Sequence, residues 1–340
     1  MAMTVGIMGF GRIGRNVFRI LYKRDDIRIG AVSDLGDAAS VEYLLKFDTL
    51  FGRFPDEISA KDGNLYVVGR QIALLAGQEK GFTPPWGDLG VDTVIEATAR
   101  KLTRAELEKH LHAGARRVIL CEPPVDPLDL TVVKGINDHL VKRAHRLLSC
   151  ASSTVHCVAP VAKILLDAFG IRKMLFTTIH SYTNHHRLAD VPAEDMRRGR
   201  AAAENIIPQE SRSAGMLKEL IPELEGKVVG AAMNVPVPNG SAVDLVCWHE
   251  KKVTVTAINE VVRTAIAAKW TGIMDYETEP IVSSDIAQSG FSCTFDSRAT
   301  MVLGENVSKT LSWYDAGWGY AHRAVELLER FLALDREELR

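Results

Sequence analysis

Residues 9–14 read Gly9-Phe10-Gly11-Arg12-Ile13-Gly14, which is a G-x-G-x-x-G pattern. A short apolar run at 4–8 precedes it, and residues 12–23 place their apolar side chains on one face of a helix. The next apolar run, 27–32, is followed closely by Asp34. This order of strand, glycine-rich turn, helix, strand and acidic residue is the context in which the pattern binds a dinucleotide.

The three glycines and the acidic residue have separate predicted roles. Gly9 makes the tight turn, Gly11 lets the backbone approach a pyrophosphate, and Gly14 lets the helix pack closely on the strand. The Asp34 carboxylate accepts hydrogen bonds from ribose hydroxyls and repels a 2′-phosphate, which favours NAD over NADP. The alternative is a glycine-rich turn in an unrelated α/β protein. The predicted cofactor contacts are Gly9, Phe10, Gly11, Arg12, Ile13, Gly14 and Asp34.

The remaining pattern predicts the fold class. Up to about residue 150, apolar runs such as 93–96 and 117–120 alternate with helical stretches, which indicates a doubly wound, mostly parallel α/β sheet. Beyond residue 150 a helix at 153–169 is followed by longer strands, several of them without helices between, which indicates an α+β region with a mixed or antiparallel sheet. Residues 181–204 show no clean period, and 319–334 form a closing amphipathic helix.

Composition excludes several classes of protein. The chain has 340 residues, 46% hydrophobic, with 41 basic and 43 acidic side chains, so neither disorder nor a global field for nucleic acid or an anionic membrane is expected. Five cysteines, an odd number, argue against a disulfide framework and favour a reducing compartment. No apolar run reaches the length of a membrane span, and no signal peptide is expected. We therefore expect a cytoplasmic protein.

With these features in place, the chain resembles the glyceraldehyde-3-phosphate dehydrogenase family from end to end. The N-terminal segments that carry the resemblance are Val5-Gly6-Ile7-Met8-Gly9-Phe10-Gly11-Arg12-Ile13-Gly14-Arg15, Leu44-Leu45-Lys46-Phe47-Asp48, Gly52-Arg53-Phe54 and Pro85-Trp86-Gly87. Those that follow are His180-Ser181-Tyr182-Thr183-Asn184, Arg197-Arg198-Gly199-Arg200-Ala201-Ala202, Val235-Pro236, Pro238-Asn239, Trp313-Tyr314-Asp315 and Trp318-Gly319-Tyr320. Their number, order and spacing make the resemblance specific.

The resemblance implies an architecture and an assembly. It implies an NAD-binding Rossmann domain over 1–150, a catalytic domain over 151–316, and a C-terminal helix within 317–340 that returns to the Rossmann domain. It also implies a homotetramer in which the polar segment 181–204 is an S-shaped loop that lines the cofactor site of a neighbouring subunit. Thr98 and Tyr320 match family residues that lie near the cofactor.

The resemblance further implies a reaction, and the nucleophile position departs from it. In the family a cysteine attacks the aldehyde, a histidine takes the proton, hydride passes to NAD, and phosphate cleaves the thioester. The family motif S-[NC]-A-S-C-T-T-N-C corresponds here to residues 149–157, with Ser153 at the nucleophile position, and the histidine is His180. A serine hydroxyl is not ionised without strong general-base help, whereas a thiol is readily activated. Cys150 and Cys157 are alternative nucleophiles, or buried thiols.

The substrate and phosphate positions are altered too. The family's substrate-phosphate arginine is Asn234, its aspartate after the S-Y-T-N run is His185, and a glycine beside Ser211 is Arg212. Asparagine carries no charge, so affinity for a phosphorylated aldehyde falls unless His185 or Arg212 compensates. The positions retained on the substrate and inorganic-phosphate sides are Ser152, Thr154, Thr183 and the Ser211 hydroxyl.

The nicotinamide anchor is less well kept than the glycine turn. The family asparagine that holds the carboxamide is Ala316, and the N-terminal asparagine near the cofactor is Met8. The arginine near the adenosine aligns with Glu79, and the glycine of the S-T-G segment with Ala99. Tyr320 remains.

Two polar clusters allow other interpretations. His156, His180, His185 and His186 converge on the expected pocket and could bind zinc or copper, but we expect no metal there. The basic run 197–200 suggests nucleic acid, but in the resembled family such arginines bind within and between subunits.

The sequence thus predicts a divergent, NAD-binding, glyceraldehyde-3-phosphate dehydrogenase-like oxidoreductase. Its phosphorylating activity on an aldehyde ligand is expected to be weak or lost. One alternative is an enzyme that uses Ser153 and His180 on another aldehyde or an ester. The other is a non-catalytic binding or regulatory paralogue that keeps the fold and co-assembles with an active paralogue.

Overall fold

The structure is a computed structural model, and it describes residues 2–337. The chain divides into two compact units, each described by itself below. The first comprises the chain up to Val132, Asp138–Ser152 and the chain from Ala321 onward. The second comprises Val133–Asn137 and Ser153–Tyr320. Among the described residues, none of the helices combines the length and apolar character that crossing a bilayer requires.

The first unit is built on a nine-stranded sheet in the order β10-β11-β9-β8-β1-β2-β7-β6-β5. Pairing from β10 across to β7 is parallel, and β5, β6 and β7 pair antiparallel. Its strands, with the separate pair β3–β4, are β1 (Met3–Met8), β2 (Ile27–Ser33), β3 (Phe47–Asp48), β4 (Gly52–Arg53), β5 (Ile58–Lys61), β6 (Asn64–Val67), β7 (Arg70–Leu75), β8 (Thr93–Glu96), β9 (Arg117–Leu120), β10 (Leu130–Thr131) and β11 (Leu147–Ser149).

The central strands explain why this sheet is parallel. Every residue of β8 and β9 is buried, as expected for strands covered on both faces by helices. The helices are α1 (Arg12–Leu21), α2 (Ala38–Lys46) and α3 (Arg104–His112). Helix α3 begins with a capping box, in which Thr103 and Glu106 satisfy each other's backbone N–H groups.

The C-terminal helix α7 (Trp318–Glu337) joins the first unit from Ala321 onward. Its Asp335 carboxylate receives two hydrogen bonds of 2.7 Å from the buried Arg117 guanidinium and a third from Arg143. Helix α7 is thereby tied to β9, which confirms the predicted C-terminal helix packing. Residues 338–340 of the predicted closing segment lie outside the described residues.

The second unit contains a seven-stranded mixed sheet in the order β13-β14-β12-β15-β18-β17-β16. Strands β12 and β14 are parallel, as are β16 and β17, and the other pairs are antiparallel. The strands are β12 (Lys173–Ser181), β13 (Ile207–Glu210), β14 (Val228–Val235), β15 (Ser241–Trp248), β16 (Met274–Glu277), β17 (Cys293–Leu303) and β18 (Val307–Tyr314). The predicted mixed sheet is confirmed.

Three helices belong to the second unit. They are α4 (Ser153–Phe169), α5 (Ser213–Leu220) and α6 (Val255–Ala265), the last continued by a π-helical turn at Ile266–Trp270. Helix α4 is buried along most of its length, which its apolar sequence dictates. The polar segment after β12 holds only a 3₁₀ turn, Met196–Gly199, and one bridge between Arg187 and Ala201, in line with its lack of period.

Several details differ from the sequence-based expectation. The apolar runs 291–295 and 300–303 predict two strands, but Cys293–Leu303 forms the single strand β17, with a register irregularity between Asp296 and Met301. The apolar spacing also predicts a helix over 258–269; the observed helix α6 begins earlier, at Val255, because the Thr254 side chain caps it. The sequence pattern predicts none of the strands β3, β4, β5, β10, β13 and β16. The division into units falls after Ser152 and after Tyr320, close to the expected domain limits, whose functional assignment remains a prediction.

Candidate functional site

The glycine-rich turn lies between β1 and α1 in the first unit. Gly9 has a φ of +89°, and a Cβ there would lie 2.7 Å from the Thr98 backbone, so only glycine fits. A Cβ on Gly14 would lie 2.1 Å from the Gly9 carbonyl oxygen, so this glycine allows α1 to pack onto the turn. A Cβ on Gly11 would meet nothing within 4 Å, which means that open space adjoins the turn there.

Asp34 lies directly beyond β2, next to the same turn. One carboxylate oxygen accepts the Phe10 N–H at 2.5 Å, and the other accepts the Gly36 N–H at 2.8 Å. The carboxylate is half-buried and is therefore held beside the turn, with lone pairs left for ribose hydroxyls.

The residues of this turn fit a dinucleotide. Helix α1 begins at Arg12, its N-cap Gly11 provides no side-chain cap, and its first turn has no acidic residue, so the positive end of its dipole favours a pyrophosphate there. Arg12 and Ile13 follow in that first turn and are half-buried. The open space at Gly11 is where the phosphates would approach the backbone.

Thr98 and its neighbours border the turn from β8. Thr98 donates its N–H to Glu96 at 3.0 Å and donates its hydroxyl proton to the same carboxylate oxygen. Ala99, in the position of the family glycine, has a φ of +57° and so adopts the left-handed conformation that glycine favours. Met8 is buried and Glu79 is exposed.

In the second unit, Ser153 is the first residue of α4 and is half-buried. The Tyr314 hydroxyl on β18 lies 2.9 Å from the Thr154 hydroxyl and also hydrogen-bonds with Ser153 and Ser241. Burial raises the pKa of Tyr314, although these hydrogen bonds act in the opposite direction. Tyr314 is therefore a neutral hydroxyl at physiological pH and does not serve as a base for Ser153.

His180 lies near the end of β12 and carries a defined lone pair. Its Nδ1 lies 2.6 Å from the Ser181 carbonyl oxygen, which can only accept, so Nδ1 carries a proton and Nε2 is the acceptor whenever the ring is neutral. The ring edge packs against Tyr314, with centroids 6.1 Å apart. A backbone carbonyl thus orients the base, and no side-chain pattern in the sequence announces such a partner.

A neutral polar cluster surrounds Asn234. The amide nitrogens of Asn234 and Gln209 lie 2.5 Å and 3.1 Å from His186 Nε2, and His186 Nδ1 lies 3.2 Å from the Thr183 hydroxyl. The Thr183 backbone N–H donates to His186 Nδ1 at 3.0 Å, so Nδ1 is the acceptor, Nε2 carries the hydrogen and the ring is neutral. The structure brings His186 to Asn234, because the His186 N–H donates to the Thr183 carbonyl oxygen and turns residues 183–186 back on themselves.

The other predicted site residues lie as follows. Ser152 belongs to the first unit and is half-buried; His185 and Arg212 are exposed, and Arg212 immediately precedes α5. The Ser211 hydroxyl accepts the Ser213 N–H at 3.3 Å. Tyr320 is buried with its ring against His156 in the second unit, at 6.0 Å between centroids. Ala316 is buried.

All five cysteines are free and buried. Burial raises the pKa of the Cys157 thiol well above its ordinary value, and the same holds for Cys121. The Cys157 sulfur also donates to the Ser312 carbonyl oxygen at 3.8 Å. Cys150 is fully buried. All five thiols lack the exposure of a catalytic cysteine.

Over residues 2–337, no group of three or more His, Cys, Asp or Glu side chains is arranged to hold a metal ion. The four histidines weighed as ligands, two of them packed on Tyr320 and Tyr314, do not form such a group.

Comparison with known proteins assigns both halves of the chain. The NAD-binding-domain model of glyceraldehyde 3-phosphate dehydrogenase matches residues 3–104, and the C-terminal-domain model matches residues 149–316. A glyceraldehyde-3-phosphate dehydrogenase of Geobacillus stearothermophilus is 46% identical over 328 residues, which cover 96% of this chain and 97% of that protein. A glyceraldehyde-3-phosphate dehydrogenase of Mycobacterium leprae is 42% identical over 334 residues, 96% of this chain and 98% of its own.

Proposed function

Because the chain belongs to the glyceraldehyde-3-phosphate dehydrogenase family, we propose that it is a divergent NAD-binding oxidoreductase whose phosphorylating activity is very slow. One observation carries this proposal: the first residue of α4, where the family motif has its nucleophilic cysteine, is Ser153. The glycine turn and Asp34 support retained binding of NAD.

The proposed loss of rate follows from proton affinity. A thiol at a helix N-terminus is deprotonated easily and attacks an aldehyde as a thiolate. A serine hydroxyl keeps its proton until a base removes it in the transition state, and the product of oxidation would be an oxyester, which resists attack by phosphate more than a thioester does. Bound NAD would supply the hydride acceptor.

His180 is the group that would take the proton. Its Nε2 lone pair and its orientation by the Ser181 carbonyl suit a general base. The hydrogen bond between Tyr314 and Ser153 holds the serine hydroxyl in place without withdrawing its proton, because Tyr314 itself remains protonated. Residual chemistry at Ser153 would therefore depend on His180 as the base.

The neutral cluster at Asn234 supports weak binding of a phosphorylated aldehyde. The side chains joined there, Asn234, His186, Gln209 and Thr183, offer hydrogen bonds but no positive charge. An arginine would pair with a phosphate in a bidentate, charge-assisted way, and neutral donors replace only part of that interaction. A loss of about 1.5–3 kcal/mol in binding is the expected scale.

Two alternatives remain beside this proposal. The Ser153–His180 pair, with a base oriented by a carbonyl, favours an enzyme that acts on another aldehyde or on an ester. The alanine at position 316 and the serine at position 153 together favour a non-catalytic binding or regulatory paralogue.

A panel of aldehydes and esters tests the proposal against both alternatives. NADH formation would be followed with and without phosphate for the wild type and S153C, with NAD binding measured separately. The proposal expects tight NAD binding, negligible turnover by the wild type and a higher rate in S153C. Turnover of one panel member by the wild type supports the altered enzyme. Inactivity of both proteins supports the binding paralogue. It would mean that Asn234 and Ala316 contribute to the loss of activity as much as Ser153 does.

We also propose that the protein is a cytoplasmic homotetramer, or assembles with an active paralogue. One face of the second unit's sheet supports an interface between chains. Leu175, Val229, Met233 and Trp248 all lie on it and are each at least 39% exposed. A contiguous apolar sheet face of this kind is typical of a surface that another chain covers.

A further inference from the structure

A buried chain of hydrogen bonds in the first unit ends at the glycine turn. The Trp86 indole N–H lies 2.9 Å from His110 Nδ1, and His110 Nε2 lies 3.1 Å from one carboxylate oxygen of Glu96. The other oxygen of Glu96 accepts the N–H and the hydroxyl proton of Thr98. Trp86, Glu96 and His110 are each at most 4% exposed.

The geometry assigns a donor and an acceptor to each hydrogen bond in this buried series from Trp86 to Thr98. An indole N–H only donates, so His110 Nδ1 must accept and the ring is neutral with its hydrogen on Nε2. His110 Nε2–H then donates to Glu96, which also receives two donors from Thr98. Glu96 thus accepts three hydrogen bonds, and the neutral His110 ring supplies no positive charge to it.

Thr98, at the end of this series of hydrogen bonds, lies against the backbone turn that receives the dinucleotide. A Cβ on Gly9 would lie 2.7 Å from both Cα and N of Thr98 and 2.8 Å from the Ala97 carbonyl carbon. The Ala97 N–H also donates to the Met8 carbonyl at 2.7 Å. The Gly9 turn thus packs directly against the Thr98 backbone. The Glu96 carboxylate holds that backbone by accepting the Thr98 N–H.

We propose that Glu96, oriented by His110 and Trp86, is a positioning residue for the dinucleotide: it holds the Thr98 backbone against Gly9 and so sets the shape of the turn that receives the pyrophosphate. The Thr98 hydroxyl proton is committed to Glu96, so the Thr98 oxygen faces a ligand only as an acceptor. Neither Glu96 nor His110 contacts the cofactor in this account.

The substitution E96Q tests which atoms donate and which accept in these hydrogen bonds. An amide in place of the carboxylate puts an N–H₂ donor against either His110 Nε2–H or the two donors of Thr98. His110 cannot relieve the conflict by moving its proton to Nδ1, because the Trp86 N–H faces that atom. In the double variant E96Q/W86F this obstacle is removed, and the tautomer can change.

For the variants that fold, calorimetric titration with NAD measures the Kd that tests the proposal. We expect E96Q to raise the Kd for NAD about tenfold or more, because the new amide N–H₂ group then faces another buried hydrogen-bond donor. We expect E96Q/W86F to return to within about threefold of W86F alone. The partly exposed Glu108, which pairs with Arg104, is changed to Gln as the matched control and should keep the wild-type Kd. An unchanged Kd in E96Q, or no rescue by W86F, would overturn the proposal.

A second pair of variants keeps the proposal testable if E96Q does not fold. In H110Q the amide can still accept from Trp86 and donate to Glu96, whereas H110L can do neither. H110Q should keep the Kd for NAD within about threefold of the wild type, and H110L should weaken it about tenfold. Equal values for the two variants would contradict the positioning role.

Discussion

The chemistry of position 153 depends on where its side chain lies. Ser153 opens α4, whose first turn has no acidic residue, and its hydroxyl is held by the neutral hydroxyl of Tyr314. The positive end of the helix dipole stabilises an anion there. For a hydroxyl this help is far too small to ionise it, but for a thiol it would lower the pKa into a reactive range.

Replacing Ser153 by cysteine should therefore create a reactive thiol in a protein whose own thiols are inert. We expect S153C to take up one equivalent of iodoacetamide at pH 7, at least about tenfold faster than any native cysteine reacts. Intact-mass spectrometry counts the modification. The wild type is the control, because all five of its cysteines are buried. Equal labelling of the two proteins would show that position 153 does not activate a nucleophile.

The sequence predicts which site residues are altered better than it predicts the contacts that those residues make. The serine at 153 and the asparagine at 234 are visible from the motif alone. The contact of His186 with Asn234 is not, because it depends on the local turn at residues 183–186 within a segment that has no period. The Ser181 carbonyl that orients His180 is invisible for a different reason, since every residue has a carbonyl.

Individual elements show which patterns predict structure. Helix α4 has the bounds that its sequence predicts, because a strong apolar pattern begins and ends sharply there. Strand β16 escaped prediction because its four residues, Met274–Glu277, are mostly polar and owe their conformation to pairing with β17. A pattern within one segment cannot reveal a conformation that a distant partner imposes.

The attachment of α7 to β9 should be sensitive to pH. Hydrogen bonds from Arg117 lower the pKa of Asp335, with Arg116 and Arg143 adding in the same direction. The contribution of Asp335 to stability is therefore present above its unfolded pKa of about 4, and is lost as the pH falls through the lower folded pKa.

The variant D335N measures this contribution. At pH 7 it should lower the stability to urea by roughly 1–2 kcal/mol, because the nearly buried Arg117 loses its partner. The difference from the wild type should shrink progressively below pH 4. E305Q, which breaks an exposed pair with Lys252, should have little effect at either pH. A loss in D335N that does not change with pH would contradict this account.

At the scale of the whole molecule, the apolar sheet face predicts association. Leu175 pairs with Val229 across β12 and β14, and both are exposed on that face. We expect the wild type to have the mass of four chains by light scattering, and L175E to give smaller species. Y43E, at an exposed tyrosine of α2, is the control and should keep the wild-type mass. A wild-type mass for L175E would place the interface elsewhere.

The central claim joins a preserved fold to a lost nucleophile. Both family domains are present, and the glycine turn keeps the geometry of a dinucleotide site, yet Ser153 opens the helix that should carry the thiol. The most direct test is the kcat of the wild-type protein for phosphate-dependent NADH formation from glyceraldehyde 3-phosphate at saturating NAD. The account predicts a kcat below about 0.01 s⁻¹, and a value of about 1 s⁻¹ or more, ordinary for an enzyme, would contradict it.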